Sequence, residues 1–300
     1  MLAVSVKLSI SALRSIDEKD YRILVAIEHG MSTREYVETR FIAGFTGFGE
    51  EFILRRLKKL NKLGLVQRTK QPYVGYLLTS RGYDCLALNA LIKKGVIHMI
   101  STTPLGEGKE SEVYMGVTPG EKIVAVKFHR VGRISFRKTK RVRGYIAEKK
   151  HISWIYEARL SATQEYKALM SLYKRGVSVP QPIGWNRHVV VTEFINGVEL
   201  YRAPDPSNPR GILEKTLSEV EKAFRVGIIH GDLSEYNIMV AEGEAIYIID
   251  WPQWIPSTHP QAALYLSRDV KRVATYMEKR FKLGLDPEKI TEEFLRQVGL

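Results

Sequence analysis

Between residues 17 and 94 apolar positions recur at spacings of three and four in separate blocks, the mark of short amphipathic helices. The first block, 17–29, opens on Asp17 and Glu18 and stops at Gly30. Ser32 or Thr33 is expected to cap a second helix running to about Ile42. A third block, 50–63, puts Phe52, Ile53, Leu57, Leu60 and Leu63 on one face and Arg55, Lys58, Lys59 and Lys62 mainly on the other. Residues 64–68 and 72–79 predict two strands around a short wing, and a further helix follows at about 80–94. This order predicts a winged helix-turn-helix, with the basic third helix reading a nucleic-acid groove. Protein docking is the alternative use of that surface.

After residue 95 the pattern turns to strands. Val113-Tyr114 and the run Ile123-Val124-Ala125-Val126-Lys127-Phe128 alternate as sheet residues. Helical periodicity returns over 153–175, with Ile155, Ala158, Leu160, Ala162, Tyr166, Leu169, Met170 and Leu172 apolar and Gly176 at the C-terminal cap position. Residues 189–197 read as a buried strand ending in a hinge. The stretch Ala203-Pro-Asp-Pro-Ser-Asn-Pro leads into a helix ending near Gly227. With no repeats and no Pro/Gly/Ser linker, the expected division is 1–95 and 96–300, packed at the join.

The chemistry concentrates at residues 228–237, Ile-Ile-His-Gly-Asp-Leu-Ser-Glu-Tyr-Asn, and at Ile248-Ile249-Asp250-Trp251. Asp232 stands five positions before Asn237, and Asp250 ends an apolar run. Protein kinases use this layout to take a hydroxyl proton on the first Asp and to hold Mg²⁺ on the Asn and the later Asp. Upstream, Gly106-Glu107-Gly108-Lys109-Glu110-Ser111 has the two glycines that let backbone bend closely over phosphates. Taken alone, a Gly-x-Gly between strands is a hairpin turn. Val-Ala-Val-Lys, ending at Lys127, matches the kinase strand that carries the phosphate-binding lysine. Glu157 and Glu165 are the candidates to position Lys127, and the apolar surround of Ala162 and Leu169 favours Glu165. Backbone groups from Glu193 to Ile195 are placed to meet an adenine edge.

These motifs resemble the RIO family of atypical protein kinases, in the branch with an N-terminal winged helix. The resemblance rests on residues 106–111, Lys127, 229–237 and Ile-Asp-Trp-Pro-Gln at 249–253. Gly231 replaces the Arg of the kinase His-Arg-Asp, and Asp250-Trp251-Pro252 replaces Asp-Phe-Gly. No Ala-Pro-Glu element follows, and only 50 residues remain after Asp250. The resemblance implies an α+β chain in which a winged helix precedes a minimal bilobal kinase domain with ATP between its lobes. It also implies ATP with Mg²⁺ (Mn²⁺ as a substitute), Ser/Thr kinase or ATPase activity with autophosphorylation, and maturation of the small ribosomal subunit. Asp232 would be the catalytic base, and Asp250 a metal ligand that itself accepts phosphate. His230 is expected to prop the loop, and Asp269 either braces it or is a solvated helix-start residue. Two rivals are an aminoglycoside- or choline-type phosphotransferase and a nucleic-acid-binding protein whose kinase fold only senses nucleotide. The retention of Lys127, Asp232, Asn237 and Asp250 together argues against an inert site.

Composition narrows the partners. A net charge of +13 and a pI near 9.6 favour a polyanion. Residues 1–95 carry +7, and residues 130–150 carry +8 from nine Lys/Arg and one Glu. The second block is too charged to pack and is expected to be a mobile loop beside the ATP mouth, either a solvated charge run or a contact for RNA phosphate. The small-subunit role that the resemblance implies makes precursor small subunits and their rRNA the expected polyanion, met through the basic third helix and this loop. Cys85 is the sole cysteine, which excludes an internal disulfide and a cysteine-rich zinc site, and its Tyr-Asp-Cys-Leu-Ala-Leu context predicts a buried thiol. No apolar run approaches the roughly 20 residues of a membrane span, and the opening Met-Leu-Ala-Val-Ser-Val-Lys turns polar too quickly for a secretory signal. A cytoplasmic protein with no membrane partner is expected.

Overall fold

The computed structural model describes residues 6–71, 73–108, 110–130 and 153–300. The chain forms two compact units, residues 1–162 with 184–191 and residues 163–183 with 192–300.

The first unit begins with four helices, α1 (Val6–Leu13), α2 (Glu18–Gly30), α3 (Thr39–Thr46) and α4 (Glu50–Lys62). A hairpin of β1 (Val66–Thr69) and β2 (Gly75–Leu78) follows, then α5 (Ser80–Lys93). Asp17 caps α2 in a reciprocal capping box with Asp20, because its carboxylate satisfies the otherwise unpaired first-turn N–H groups. Gly30 is the last helical residue rather than a left-handed cap, and a Cβ there would lie 2.7 Å from the Val37 methyls. The core draws on all these elements, with Ile23, Leu24, Ile27, Ile42, Ile53, Leu57, Leu60 and Leu78 fully buried. Each such side chain contributes roughly 1.5–3 kcal/mol by leaving water.

Two expectations for this unit need correction. The helix expected from Ser32 or Thr33 starts only at Thr39. The hydroxyls of Ser32 and Thr33 donate back to the His29 and Gly30 carbonyls, closing α2 instead of opening a new helix. Val37 then bridges Tyr76 through two backbone hydrogen bonds of 2.8 and 2.9 Å, which holds the chain extended up to α3. Lys59 does not belong to the free basic face of α4. It lies 2.6 Å from the fully buried carboxylate of Asp20, which Arg56 also contacts, so its charge is part of the fold. Arg55, Lys58 and Lys62 remain exposed, with Leu54 beside them 47% exposed.

Three antiparallel strands follow, β3 (Met99–Glu107), β4 (Ser111–Val117) and β5 (Ile123–His129). They continue through β7 (Val189–Glu193) to β6 (Pro182–Asn186), giving the sheet order β3-β4-β5-β7-β6. Between them in sequence runs α6 (Ser153–Tyr173), closed by Gly176 at φ 74° as its position predicts. Cys85 is buried, which pushes its thiol pKa up and leaves it an inert core group.

The second unit holds β8 (Gly197–Glu199), α7 (Pro209–Arg225), β9 (Ile228–Ile229), β10 (Ile238–Ala241), β11 (Ile246–Ile248), β12 (Ile255–Pro256), α8 (Ala262–Phe281) and α9 (Pro287–Val298). Asn208 caps α7 by accepting from the Gly211 N–H, and Pro209 occupies the first turn, where its missing N–H costs nothing. Strands β11, β10 and β8 form a small antiparallel sheet, and β9 pairs with β12. Among the described residues no helix is long and apolar enough to cross a membrane.

Candidate active site

The glycine-rich segment is the turn that joins β3 to β4. Gly106, Glu107 and Gly108 are exposed, and the Gly108 N–H donates to the Ser111 carbonyl at 2.8 Å to close the turn, with Glu110 inside it. Lys109 lies outside the described residues. Neither Gly106 nor Gly108 has a positive φ. A Cβ at Gly106 would meet no protein atom within 4 Å, and one at Gly108 would meet only Ser111. The fold itself therefore does not demand glycine here, and the open space above the turn suits a phosphate group. Lys127 sits on β5 opposite Val113 of β4, one strand in from that turn.

In the second unit, α6 buries Glu165 to 3% exposure between Ala162 and Leu169, whereas Glu157, in the first, is half-buried. At the hinge, the Glu193 N–H donates to the Gln181 carbonyl at 2.8 Å. The Gln181 N–H returns a bond to the Glu193 carboxylate at 3.2 Å, and the Ile195 carbonyl accepts from the Gly197 N–H at 3.0 Å.

The loop from β9 to β10 carries Asp232 and Asn237. Asn237 Nδ2 donates to the Asp232 carbonyl at 2.9 Å, which ties down the amide nitrogen and makes the carboxamide oxygen the candidate metal ligand. Ile238 pairs with Ile248, and the Ile249 N–H donates to the Asn237 carbonyl at 2.9 Å. Asn237 and Asp250 thus emerge side by side at the open end of the β10–β11 hairpin. Asp250 has φ 68°, in the left-handed region that costs a non-glycine residue of order 1–3 kcal/mol and that clusters at functional sites. Asp232 is exposed, and its Oδ1 accepts from Arg272 Nη1 at 2.8 Å.

Helix α8 supports this loop from beneath. Asp269 is 1% exposed and accepts from the Gly231 N–H at 2.7 Å and the Leu233 N–H at 3.1 Å. Burial pushes its carboxyl pKa up, against the opposing pull of His230 and those two N–H groups. Asp269 is therefore a brace in mid-helix, not a solvated helix-start residue. Arg268 donates to the Gly231 carbonyl from the same turn. Gly231 has φ 81°, and a Cβ there would lie 2.8 Å from the Gln253 carbonyl oxygen, so the arginine of the usual kinase motif has no room. His230 is buried against Trp251, with Nε2 3.0 Å from the Ile249 carbonyl and Nδ1 accepting the Asp232 N–H at 3.3 Å. Both ring nitrogens are committed to backbone, so His230 props the loop.

The donor set suits magnesium. Among the described residues no cluster of three or more His, Cys, Asp or Glu could hold a metal alone. One carboxylate and one carboxamide oxygen are what Mg²⁺ takes from protein when phosphates and water complete its shell. Sequence reading missed Arg272. A cation on a helix 40 residues downstream of Asp232 has no local signal that points to it.

The N-terminal residues 13–94 match the family model "Rio2, N-terminal", and residues 112–290 match the RIO domain. The chain is 41% identical over 265 residues to the RIO-type serine/threonine-protein kinase Rio2 of Methanocaldococcus jannaschii, covering 87% of this chain and 96% of that one. It is 36% identical to the Caenorhabditis elegans serine/threonine-protein kinase RIO2, covering 92% of this chain but 52% of that longer protein. A crystal structure of Chaetomium thermophilum Rio2 kinase in an ADP/Mg²⁺-phosphoaspartate complex superposes with a TM-score of 0.83 at 30% identity, over 96% of this chain and 88% of that one. Winged-helix and kinase-type elements, both domain models and these relatives agree: the chain belongs to the RIO family of serine/threonine-protein kinases, in the branch with a Rio2 N-terminal domain.

Proposed function

We propose that this chain binds ATP with Mg²⁺ and transfers the γ-phosphoryl group, as a Ser/Thr protein kinase or ATPase that acts in maturation of the small ribosomal subunit. The observation that carries the reading is the grouping of Asp232, Asn237 and Asp250 on one loop and hairpin braced by Asp269. Asn237 and Asp250 would hold Mg²⁺, which shields phosphate charge when bound. The turn 106–111 would cover the phosphates and Lys127 would contact them, with Glu165, the buried acid of α6, as the candidate to position that lysine. At the hinge, the Ile195 N–H and the Glu193 carbonyl match the acceptor and donor of an adenine edge. Asp232 would take the proton of an attacking hydroxyl, with Arg272 fixing one carboxylate oxygen and leaving the other for that proton. The phosphoaspartate of the fungal relative supports a second route, in which an Asp250 oxygen attacks the γ-phosphorus, the bond to the bridging oxygen breaks and ADP leaves. Water then hydrolyses the acyl phosphate, giving ATPase turnover. The functional division at residue 95 and a cytoplasmic location belong to the same reading.

The direct test is incubation with γ-³²P-ATP and Mg²⁺, with and without purified small-subunit precursor. Labelled protein or released phosphate that requires Mg²⁺ is expected. Absence of both under conditions where the protein is folded overturns the reading.

The RNA partner rests on α4 and on the basic loop. Of that loop, residues 131–150 lie outside the described residues. Arg130 leaves this set, because its side chain is buried among acidic groups. On α4 the relevant charges are Arg55, Lys58 and Lys62. Each phosphate contact adds about 0.7–0.9 to the slope of log affinity against log salt. Replacing all three by Gln should lower that slope by up to about 2–3 units and leave RNA-free ATP turnover unchanged. An unaltered slope, measured by filter binding across a salt series, would assign the winged helix to protein docking instead.

A further inference from the structure

The first unit contains a buried ionic cluster that phosphoryl transfer does not use. Asp84 on α5, in the N-terminal domain, is 0% exposed, and Arg130, just after β5 in the kinase domain, is 5% exposed. Arg130 grips Asp84 with both terminal nitrogens, at 2.7 and 3.1 Å, and reaches Glu112 on β4 at 3.3 Å. Ser9 Oγ donates to Asp84 Oδ2 at 2.8 Å, and His188 Nε2 lies 2.8 Å from Oδ1. Burial pulls the His188 pKa down to about 4, so near neutral pH it is uncharged and donates its Nε2–H. Burial alone would raise the Asp84 carboxyl, but Arg130 and His188 outweigh it and hold it below the usual carboxylate range.

A buried ion pair is weak evidence for stability, because desolvating the charges offsets most of their attraction. What this cluster touches is more informative. The Arg130 N–H donates to the Glu110 carbonyl at 2.7 Å, and Glu110 lies inside the glycine-rich turn. Its guanidinium holds Glu112, the residue next to Ser111, where the turn closes. The backbone of Arg130 and its side chain therefore clasp the β4 end of the turn. Neighbouring Tyr83 stacks on His188 with ring centroids 4.7 Å apart, so two consecutive residues of α5 meet the same patch.

We propose that Asp84 is a positioning residue for the glycine-rich turn: through Arg130 it holds Glu110 and Glu112, so the N-terminal domain sets the geometry of the phosphate-binding backbone. This rests on the reading that the turn covers the phosphates of ATP. The N-terminal domain then belongs to the nucleotide site as well as to any RNA surface.

The test measures ATP and adenosine affinity of full-length Asp84→Asn and Glu112→Gln, both close to isosteric, by calorimetry below their unfolding temperatures. Leu57→Ala serves as the control, since it opens a cavity in the N-terminal core away from the cluster. Linked sites typically couple by about 5- to 150-fold. ATP affinity should fall at least about fivefold in both variants, while adenosine, which carries no phosphate, binds as in wild type. Leu57→Ala should lower thermal stability and leave ATP affinity unchanged. A structural role alone would move ATP and adenosine together, and would move them in Leu57→Ala as well. If Asp84→Asn fails to fold, Glu112→Gln, which keeps the Asp84–Arg130 pair, carries the comparison. Wild-type ATP affinity in the folded variants overturns the proposal, whereas no ATP binding by wild type overturns the nucleotide reading beneath it.

Discussion

Asp250→Asn should lower Mg²⁺-dependent turnover by orders of magnitude while leaving the fold intact. The substitution keeps shape and removes one negative charge. Asn tolerates the left-handed backbone that Asp250 adopts at φ 68° at least as well as Asp does, so the hairpin end should not rearrange. A carboxamide is a poorer partner than a carboxylate for a small hard cation, and in the proposed site Asn237 would already supply one neutral oxygen. Metal stabilisation of phosphoryl charge supplies several kcal/mol at the transition state, so a loss of about 10²- to 10⁴-fold in turnover is expected. ATP should still bind through the hinge, Lys127 and the turn, more weakly. Any acid-stable, hydroxylamine-sensitive label should vanish as well, because an amide cannot form the acyl phosphate. A Mg²⁺ titration of phosphate release, with acid-quenched labelling, checks both. Turnover at the wild-type rate in the Asn variant would remove Asp250 from the metal site. A label that persists while turnover falls would leave it a ligand but not the acceptor.

What could be read from sequence was local. Asp17 and Glu18 opening α2, the apolar stripe of α4 and Gly176 after α6 each depend on residues within one or two turns, where capping and periodicity act. The start of α3 was not legible, because the bridge between Val37 and Tyr76 joins residues 39 apart and overrides the capping preference of Ser32 and Thr33. Helix α1 is short and carried no such signal. Charge was the least legible property. Lys59 and Arg130 look in sequence like any other cation of their basic runs, yet one pairs with Asp20 and the other with Asp84, 39 and 46 residues away. At the active site the motif residues were visible as a spacing, but their supports were not. Asp269 and Arg272 reach the catalytic loop from a helix that only tertiary packing brings beneath it.

Asp232→Ala separates proton transfer from nucleotide binding. A positioned general base contributes about 10²- to 10⁴-fold, and a loss of that order in phosphoryl transfer to a hydroxyl acceptor is expected. Arg272 makes the interpretation cleaner. Its partner oxygen is lost in the variant, but the Arg272 side chain is 42% exposed, so water can solvate the released charge. Exposed pairs of this kind contribute about 0–1 kcal/mol, and the thermal midpoint should therefore barely move. The loop should also hold its place, because its backbone is fixed by Asp269 and Arg268 rather than by Asp232. ATP affinity should stay close to wild type if Asp232 serves the acceptor and not the nucleotide. The two routes also diverge here. If Asp250 is the acceptor, the phosphoenzyme should still form in Asp232→Ala, while transfer to serine or threonine falls. Single-turnover labelling with ATP, read alongside substrate phosphorylation, measures both in one experiment. A fall in ATP affinity as large as the fall in rate would make Asp232 a nucleotide-binding or folding residue, and the base would have to be sought elsewhere on the loop.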